Sequence, residues 1–265
     1  MRESTTEFGR TLGRTGLQVG PLGIASSYGV SAAGVEYAFE HGINYLYWGS
    51  FRSKGFGQGI RNCKQHRERM ALVLQSYSRF AFLLEHSVDR GLRALGLDYA
   101  DVLLLGWWNR PVTERLLDRA RELVAKGKVR HLAISSHACP EFARFAANPE
   151  TGILHIRYNA AHRGAERDTF PHLGEKRPGT VVYTATSWGQ LMKSKRIPRD
   201  VPRPTAGDCY RFVLSKPTVD LCMTGPASLA HVQEAVKAMH KGPMDPDELD
   251  WMRRVGDAVY GKPRV

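Results

Sequence analysis

Short apolar runs alternate with amphipathic stretches along the whole chain. The runs expected as strands are VGPLGIASS (19–27), INYLYWG (43–49), ALVLQSYS (71–78), ADVLLLGW (100–107), VRHLAISSH (129–137), GILHIRYN (152–159), TVVYTATSW (180–188) and TVDLCMTG (218–225). The segments between them carry helical spacing. In VTERLLDRARELVAKG, for example, Leu116, Leu117, Ala120, Leu123 and Val124 form one stripe, Thr113 is placed to cap and Gly127 to stop the helix. Eight strand-helix units in series predict an α/β fold, a closed (β/α)8 TIM barrel. The 265 residues form one domain, closed by a C-terminal helix capped near Asp245. An open doubly wound sheet would need a glycine-rich phosphate turn after its first strand, and PLGIASSYG does not match G-x-G-x-x-G. The stretch Ser194–Pro204, rich in proline and arginine and without periodicity, reads as a long loop after the seventh strand.

Composition narrows this picture. A hydrophobic share of 42% supports a large core. No run approaches the roughly 18 apolar residues of a membrane span, so no membrane partner is expected. The N-terminus MRESTTEFGR has no apolar stretch behind its charges and does not read as a signal peptide. Cys63, Cys139, Cys209 and Cys222 are scattered without paired spacing, which fits free thiols and a cytoplasmic location. The net charge of +12 comes without any helix-turn-helix, zinc-finger or RNA-binding signature. It is therefore read as solvated surface that also draws anionic small molecules, with no specific nucleic-acid partner.

In such barrels chemistry sits at the C-terminal ends of the strands. Those ends carry Tyr47 and Arg52; Gln75 and Tyr77; Trp107, Trp108 and Asn109; Ser135, Ser136 and His137; His155, Arg157 and Asn159; and Tyr183 and Trp188. The mouth is aromatic and cationic, suited to a polar or anionic small molecule that stacks on rings. His162 and Glu166, four residues apart, are placed to face one another as an acid/base pair. His137, His155 and His162 match no ligand spacing, so no metal is expected.

Several segments resemble the aldo-keto reductases. LGRTGLQVGPLGIA is similar to that family's opening hairpin and first strand, and HGINYLYWGSF to its second-strand motif. LGLDYADVLLLGWW, AKGKVRHLAISSH, LHIRYNAAHRGAE and VLSKPTVDLCMTGPASLAHVQEAVKA resemble its fourth, fifth, sixth and eighth units. The resemblance runs from about Thr11 to Met239. It implies an NADPH-dependent carbonyl reductase with an Asp, Tyr, Lys and His tetrad. Those four positions hold Tyr47, Arg52, Gln75 and Gly106 here, so the tetrad is absent. Cofactor contacts implied by the resemblance fall on Ser135, Ser136, His155 and Ser228. The positions that would grip the adenosine phosphate hold Ala227 and Ala235, with Lys193, Lys195 and Arg196 as possible replacements.

Three functions follow as expectations. The first is an enzyme that kept the barrel and performs acid/base chemistry, namely isomerisation, elimination or cyclisation. Its catalytic set is Tyr47, Arg52, His137, His162 and Glu166. The second is an NADPH-dependent oxidoreductase in which Tyr47 or His137 donates the proton. The third is a noncatalytic binding barrel. The cofactor is accordingly none or NADPH.

Overall fold

The computed structural model describes residues 9–49 and 52–261. Most of the N-terminal MRESTTEFGR segment and Ser50–Phe51 of the second-strand motif lie outside the described residues. A two-stranded antiparallel hairpin, β1 (Arg10–Thr11) and β2 (Gln18–Val19), precedes the barrel. Eight parallel strands then close on themselves: β3 (Leu22–Ala25), β4 (Tyr45–Trp48), β5 (Ala71–Ser76), β6 (Ala100–Leu105), β7 (Val129–Ser136), β8 (Thr151–Arg157), β9 (Gly179–Tyr183) and β10 (Leu221–Thr224). Strand β10 pairs with both β9 and β3. The outer layer comprises α1 (Ala32–Glu40), α2 (Lys54–Asn62), α3 (Ala81–Leu95), α4 (Glu114–Ala125), α5 (Glu141–Ala147), α6 (Ala165–Asp168), α7 (Gln190–Lys193), α8 (Ala206–Leu214), α9 (Leu229–Lys241) and α10 (Pro246–Tyr260).

The two-residue period of each strand divides the core in two. Ala71, Val73, Val102, Leu104, Ala133, Ile153 and Val181 fill the barrel interior. Their neighbours Leu72, Leu74, Leu103, Leu105, Ile134, Leu154 and Val182 pack outward against the helices. The hairpin plugs the N-terminal end, where Leu12 and Val19 join the inner cluster. This approach is close: a Cβ at Gly13 would lie 2.1 Å from the Gly179 backbone nitrogen. Asn44 ties the same end together, accepting from the Gly20 N–H and donating to the carbonyls of Gln18 and Arg69.

Helix ends follow local chemistry. Asp245 and Glu248 form a reciprocal capping box at the start of α10, as the sequence suggests. Thr113 occupies the N-cap of α4 but makes no side-chain cap bond, and Gly127 takes the left-handed conformation just beyond the helix. The seventh strand ends at Tyr183, short of the expected 188, because Thr184, Ser187 and Trp188 adopt positive φ and cannot continue a strand. The Ser194–Pro204 loop is tethered: Arg203 donates to the Ser194 carbonyl and the Trp251 indole to that of Pro202. Among the described residues no helix is long and apolar enough to cross a membrane.

Candidate functional site

The C-terminal ends of the strands open into a cavity of about 790 Å³. It begins on the barrel axis at Tyr47, Gln75 and His155, and it runs out past Trp188 and Lys193 to Ala227 and His231 at the start of α9. At the axis, the Tyr47 phenol donates to the Gln75 side-chain oxygen. These two neutral groups stand where the resemblance implies a carboxylate and an ammonium. The Tyr47 ring lies against Gly49, where a Cβ would sit 2.1 Å from the ring carbon bearing the hydroxyl. A second vacancy is filled in the same way. A Cβ at Gly106 would lie 2.5 Å from the Tyr77 ring and 2.6 Å from the Gln75 amide nitrogen. Tyr77 and Gln75 thus take the space in which a histidine at position 106 would begin.

Gly106→Ala is therefore expected to destabilise the protein by about 1–3 kcal/mol through overpacking. In a Tyr77→Ala background the same change is expected to cost less, which a double-mutant cycle on thermal melts reads directly. Additive effects would show that Tyr77 does not fill that space.

His155 is fully buried inside the barrel and accepts from the Tyr45 hydroxyl at 2.8 Å. Burial pushes its pKa down to about 3, so it is a neutral imidazole at physiological pH. Above it, Trp107 projects into the mouth with φ of 58° and 58% exposure. Its backbone is held at three points: its N–H donates to the Ser135 hydroxyl, and Arg79 donates to the carbonyls of Trp107 and Gly106. Its indole N–H donates to His137 Nε2. Trp188, at φ of 52° and 60% exposure, forms the opposite rim. Bulky side chains at positive φ are costly, and such strain gathers at functional sites. Tyr183 also lines the cavity, with its hydroxyl donating to the Ser136 carbonyl.

Of the expected site residues, Tyr47, Gln75, Tyr77, Trp107, Ser135, His155, Tyr183 and Trp188 line this cavity. The others are elsewhere. Arg52 is turned away: it donates to the Ser87 backbone carbonyl and hydroxyl on α3 and lies over Trp48, so it is not at the heart of the mouth. Trp108 is 2% exposed and packs in the outer core, under Arg79. Asn109 accepts from the His137 N–H and the Ser136 hydroxyl, which fixes the strand-end loops. Asn159 is buried and does the same for its own turn, accepting from the Ala161 and His162 N–H groups and donating to the Thr184 carbonyl. His162 and Glu166 do not pair. Glu166 accepts from the Tyr158 hydroxyl, whereas His162 accepts from Arg157. Their four-residue spacing fails because His162 precedes α6 and is held in the Asn159 turn. Ser136, His137, Arg157 and His162 line a separate pocket of about 200 Å³ beside the main one.

At the outer end of the cavity Ser228 caps α9, accepting from the His231 N–H. Ala235 is 1% exposed and faces the core, so position 235 offers nothing to a ligand here. His231 and Glu234 line the groove, as do Thr205 and Tyr210 from the start of α8. These four escaped sequence reasoning. His231 and Glu234, three residues apart in α9, share one helical face, a signal that was present.

The residues at both ends fit a dinucleotide. The N-terminus of a thirteen-residue helix, together with Lys193 and the His231 ring, suits phosphate oxygens. At the axis, Ser135, Gln75 and Tyr183 supply a hydroxyl, an amide and an aromatic wall for a nicotinamide and its carboxamide.

The sequence profile of the aldo/keto reductase family matches residues 75–208, about half of the chain. L-galactose dehydrogenase of Arabidopsis thaliana is 25% identical over 212 residues, which cover 69% of this chain and 66% of that protein. Norsolorinic acid reductase B of Aspergillus parasiticus is 31% identical over 112 residues, covering 40% of this chain and 29% of the relative. The chain thus spans less than two thirds of either relative's length. Among solved structures, an aldo-keto reductase of Bacillus halodurans in its holo form superposes with a TM-score of 0.78 at 21% identity, covering 93% of this chain and 95% of that one. An aldo-keto reductase of Klebsiella pneumoniae in complex with NADPH gives 0.75 at 20% identity, covering 96% and 95%. These structural likenesses establish the shared barrel; together with the profile match, they lead to the conclusion that the chain belongs to the aldo/keto reductase family.

Proposed function

We propose that this protein is an NADP(H)-dependent oxidoreductase acting on a polar or anionic small molecule, with Tyr47 as its substitute proton donor. The observation that carries this reading is the single elongated cavity joining the barrel axis to the N-terminus of α9. Its volume of about 790 Å³ exceeds the needs of a small metabolite alone and suits a larger ligand with anionic groups at its outer end. Bound there, a nicotinamide cofactor would exchange a hydride with a carbonyl or alcohol carbon. Ser135 and Gln75 orient its amide end, and Lys193, Ser228 and the α9 terminus hold its phosphates. That the chain's relatives include a named dehydrogenase and a named reductase, and that a neighbouring structure holds NADPH, supports the same reading.

The proton has few sources. His155 is neutral and accepts from Tyr45, so it has no acidic proton to give. His137 is committed through Nε2 to Trp107 and faces the smaller pocket. Tyr47 remains, on the axis, with a hydroxyl proton now held by the Gln75 amide oxygen. A substrate carbonyl entering the axis competes with Gln75 for that proton. Gln75 is a neutral neighbour in place of an ammonium, and turnover is expected to be slow for the family. The acid/base alternative has lost the arrangement it needed, since Arg52, His162 and Glu166 face three different partners away from the main cavity.

Titrating the purified chain with NADPH, followed by nicotinamide fluorescence, tests the proposal. Saturable one-to-one binding is expected, weakened about tenfold or more by Lys193→Glu at the phosphate end. Absence of binding at millimolar cofactor would end this reading.

A further inference from the structure

We propose that the smaller pocket beside the mouth is an oxyanion subsite, built on Arg157, that takes a carboxylate or phosphate group. It does not rest on the oxidoreductase reading, because this pocket lies outside the lining of the main cavity. Arg157 ends β8 and is half-buried, yet among the described residues its guanidinium forms no ion pair. Its Nη2 donates to His162, its charge lies 5.1 Å from the centre of the Trp188 ring, and its Nε is buried without a hydrogen-bond partner. Four other sheltered arginines each meet a carboxylate, while Arg52 is matched by the Ser87 carbonyl and hydroxyl. Arg67 meets Asp101, Arg177 meets Asp220, Arg211 meets Glu248 and Arg163 meets Asp257. A sheltered cation without a counter-charge is unfavourable unless something anionic completes it.

The surroundings are rich in hydrogen-bonding nitrogens. Arg167 and the rings of His137 and His162 share the pocket with Arg157. Its one aspartate, Asp168, is engaged by both Nε and Nη2 of Arg167. The volume of about 200 Å³ suits a group of a few heavy atoms. His162 accepts from Arg157 at Nε2 and so orients the guanidinium without neutralising it. The position is also specific. The His137 ring lies 5.4 Å from that of Trp107 and 6.2 Å from that of Tyr183, both of which wall the main cavity. An oxyanion here is either free in solution or the acidic arm of a substrate whose body rests in the mouth.

Calorimetric titration of the full chain with inorganic phosphate, and separately with benzoate at constant ionic strength, distinguishes these sources. Saturable binding of at least one probe is expected, weakened about tenfold or more by Arg157→Gln and partly retained by Arg157→Lys. Phosphate binding alone indicates a free oxyanion. Benzoate binding with quenched tryptophan fluorescence indicates an acidic arm attached to a ring in the mouth. Arg167→Gln is a second variant at an exposed side chain, and it too is expected to weaken binding, because it removes a positive charge from the pocket. Non-saturating heats from both probes well into the millimolar range would overturn the proposal. Binding that is unchanged in folded Arg157→Gln and in Arg167→Gln would do the same.

Discussion

Replacing Asp101 by alanine is expected to cost the fold about 3–5 kcal/mol, the largest stability loss anticipated for a single side chain here. Asp101 is 1% exposed at the start of β6, near the closed end of the barrel. One oxygen accepts from the Leu72 backbone N–H at 2.9 Å and from Arg67 at 2.8 Å, and the other faces Arg130 at 3.4 Å. The two guanidinium groups also lie over the Tyr99 ring, 3.9 and 4.1 Å from its centre. Removing the carboxylate leaves a buried amide without its side-chain acceptor and brings two cations together with nothing between them. Urea unfolding should show the loss as a lower midpoint with an unchanged slope. Asp101→Asn retains an acceptor for Leu72 and should lose less. A loss below about 1 kcal/mol for alanine would mean that the cluster is solvated rather than structural.

The second large effect concerns turnover. Tyr47→Phe is expected to leave NADPH affinity within about twofold while lowering carbonyl-dependent oxidation of the cofactor by about 10²–10⁴-fold, the usual share of a positioned proton donor. The phenylalanine ring can keep the place against Gly49, so folding should be retained. The measurement is the rate of nicotinamide absorbance loss over a panel of anionic and aromatic carbonyls, with melting temperature as the control for fold. Undiminished turnover would move the proton-donating role to another group lining the cavity, such as the Tyr77 phenol.

The two effects lie at opposite ends of the barrel and differ in how visible they are in the sequence. Asp101 sits in LDYADVLLL, where one acid interrupts an apolar run, yet nothing local says that Arg67 and Arg130 will reach it. Tyr47 is identifiable as a strand-end residue, and its occupation of the cavity follows from the barrel itself. Its support, Gly49, is two residues along the same strand end, but its partner, Gln75, comes from the next strand and emerges only when the two strands pair.

Arg52 shows where spacing misleads. It follows Tyr47 by five residues, where the family resemblance implies a group in the mouth, but α3 offers Ser87 and the Trp48 ring lies beneath its guanidinium. A long side chain takes the best hydrogen-bond acceptors within reach, and its position along the chain does not reveal them. His162 and Glu166 fail for a related reason. Four-residue spacing brings side chains together only inside a helix, and the first of these two residues precedes one.

By itself the sequence determined the barrel, its eight strands, the division of core from surface and the C-terminal closing helix. Those properties arise from hydrophobic periodicity and capping, which act between near neighbours in the chain. Only the tertiary structure decided that Gly106 makes room for the Tyr77 ring, that among the described residues Arg157 meets no carboxylate, and that two tryptophans are held at the mouth at positive φ. Each depends on which groups from distant segments meet in a few cubic ångströms, where close packing and unpaired charge decide the outcome and local pattern carries no information.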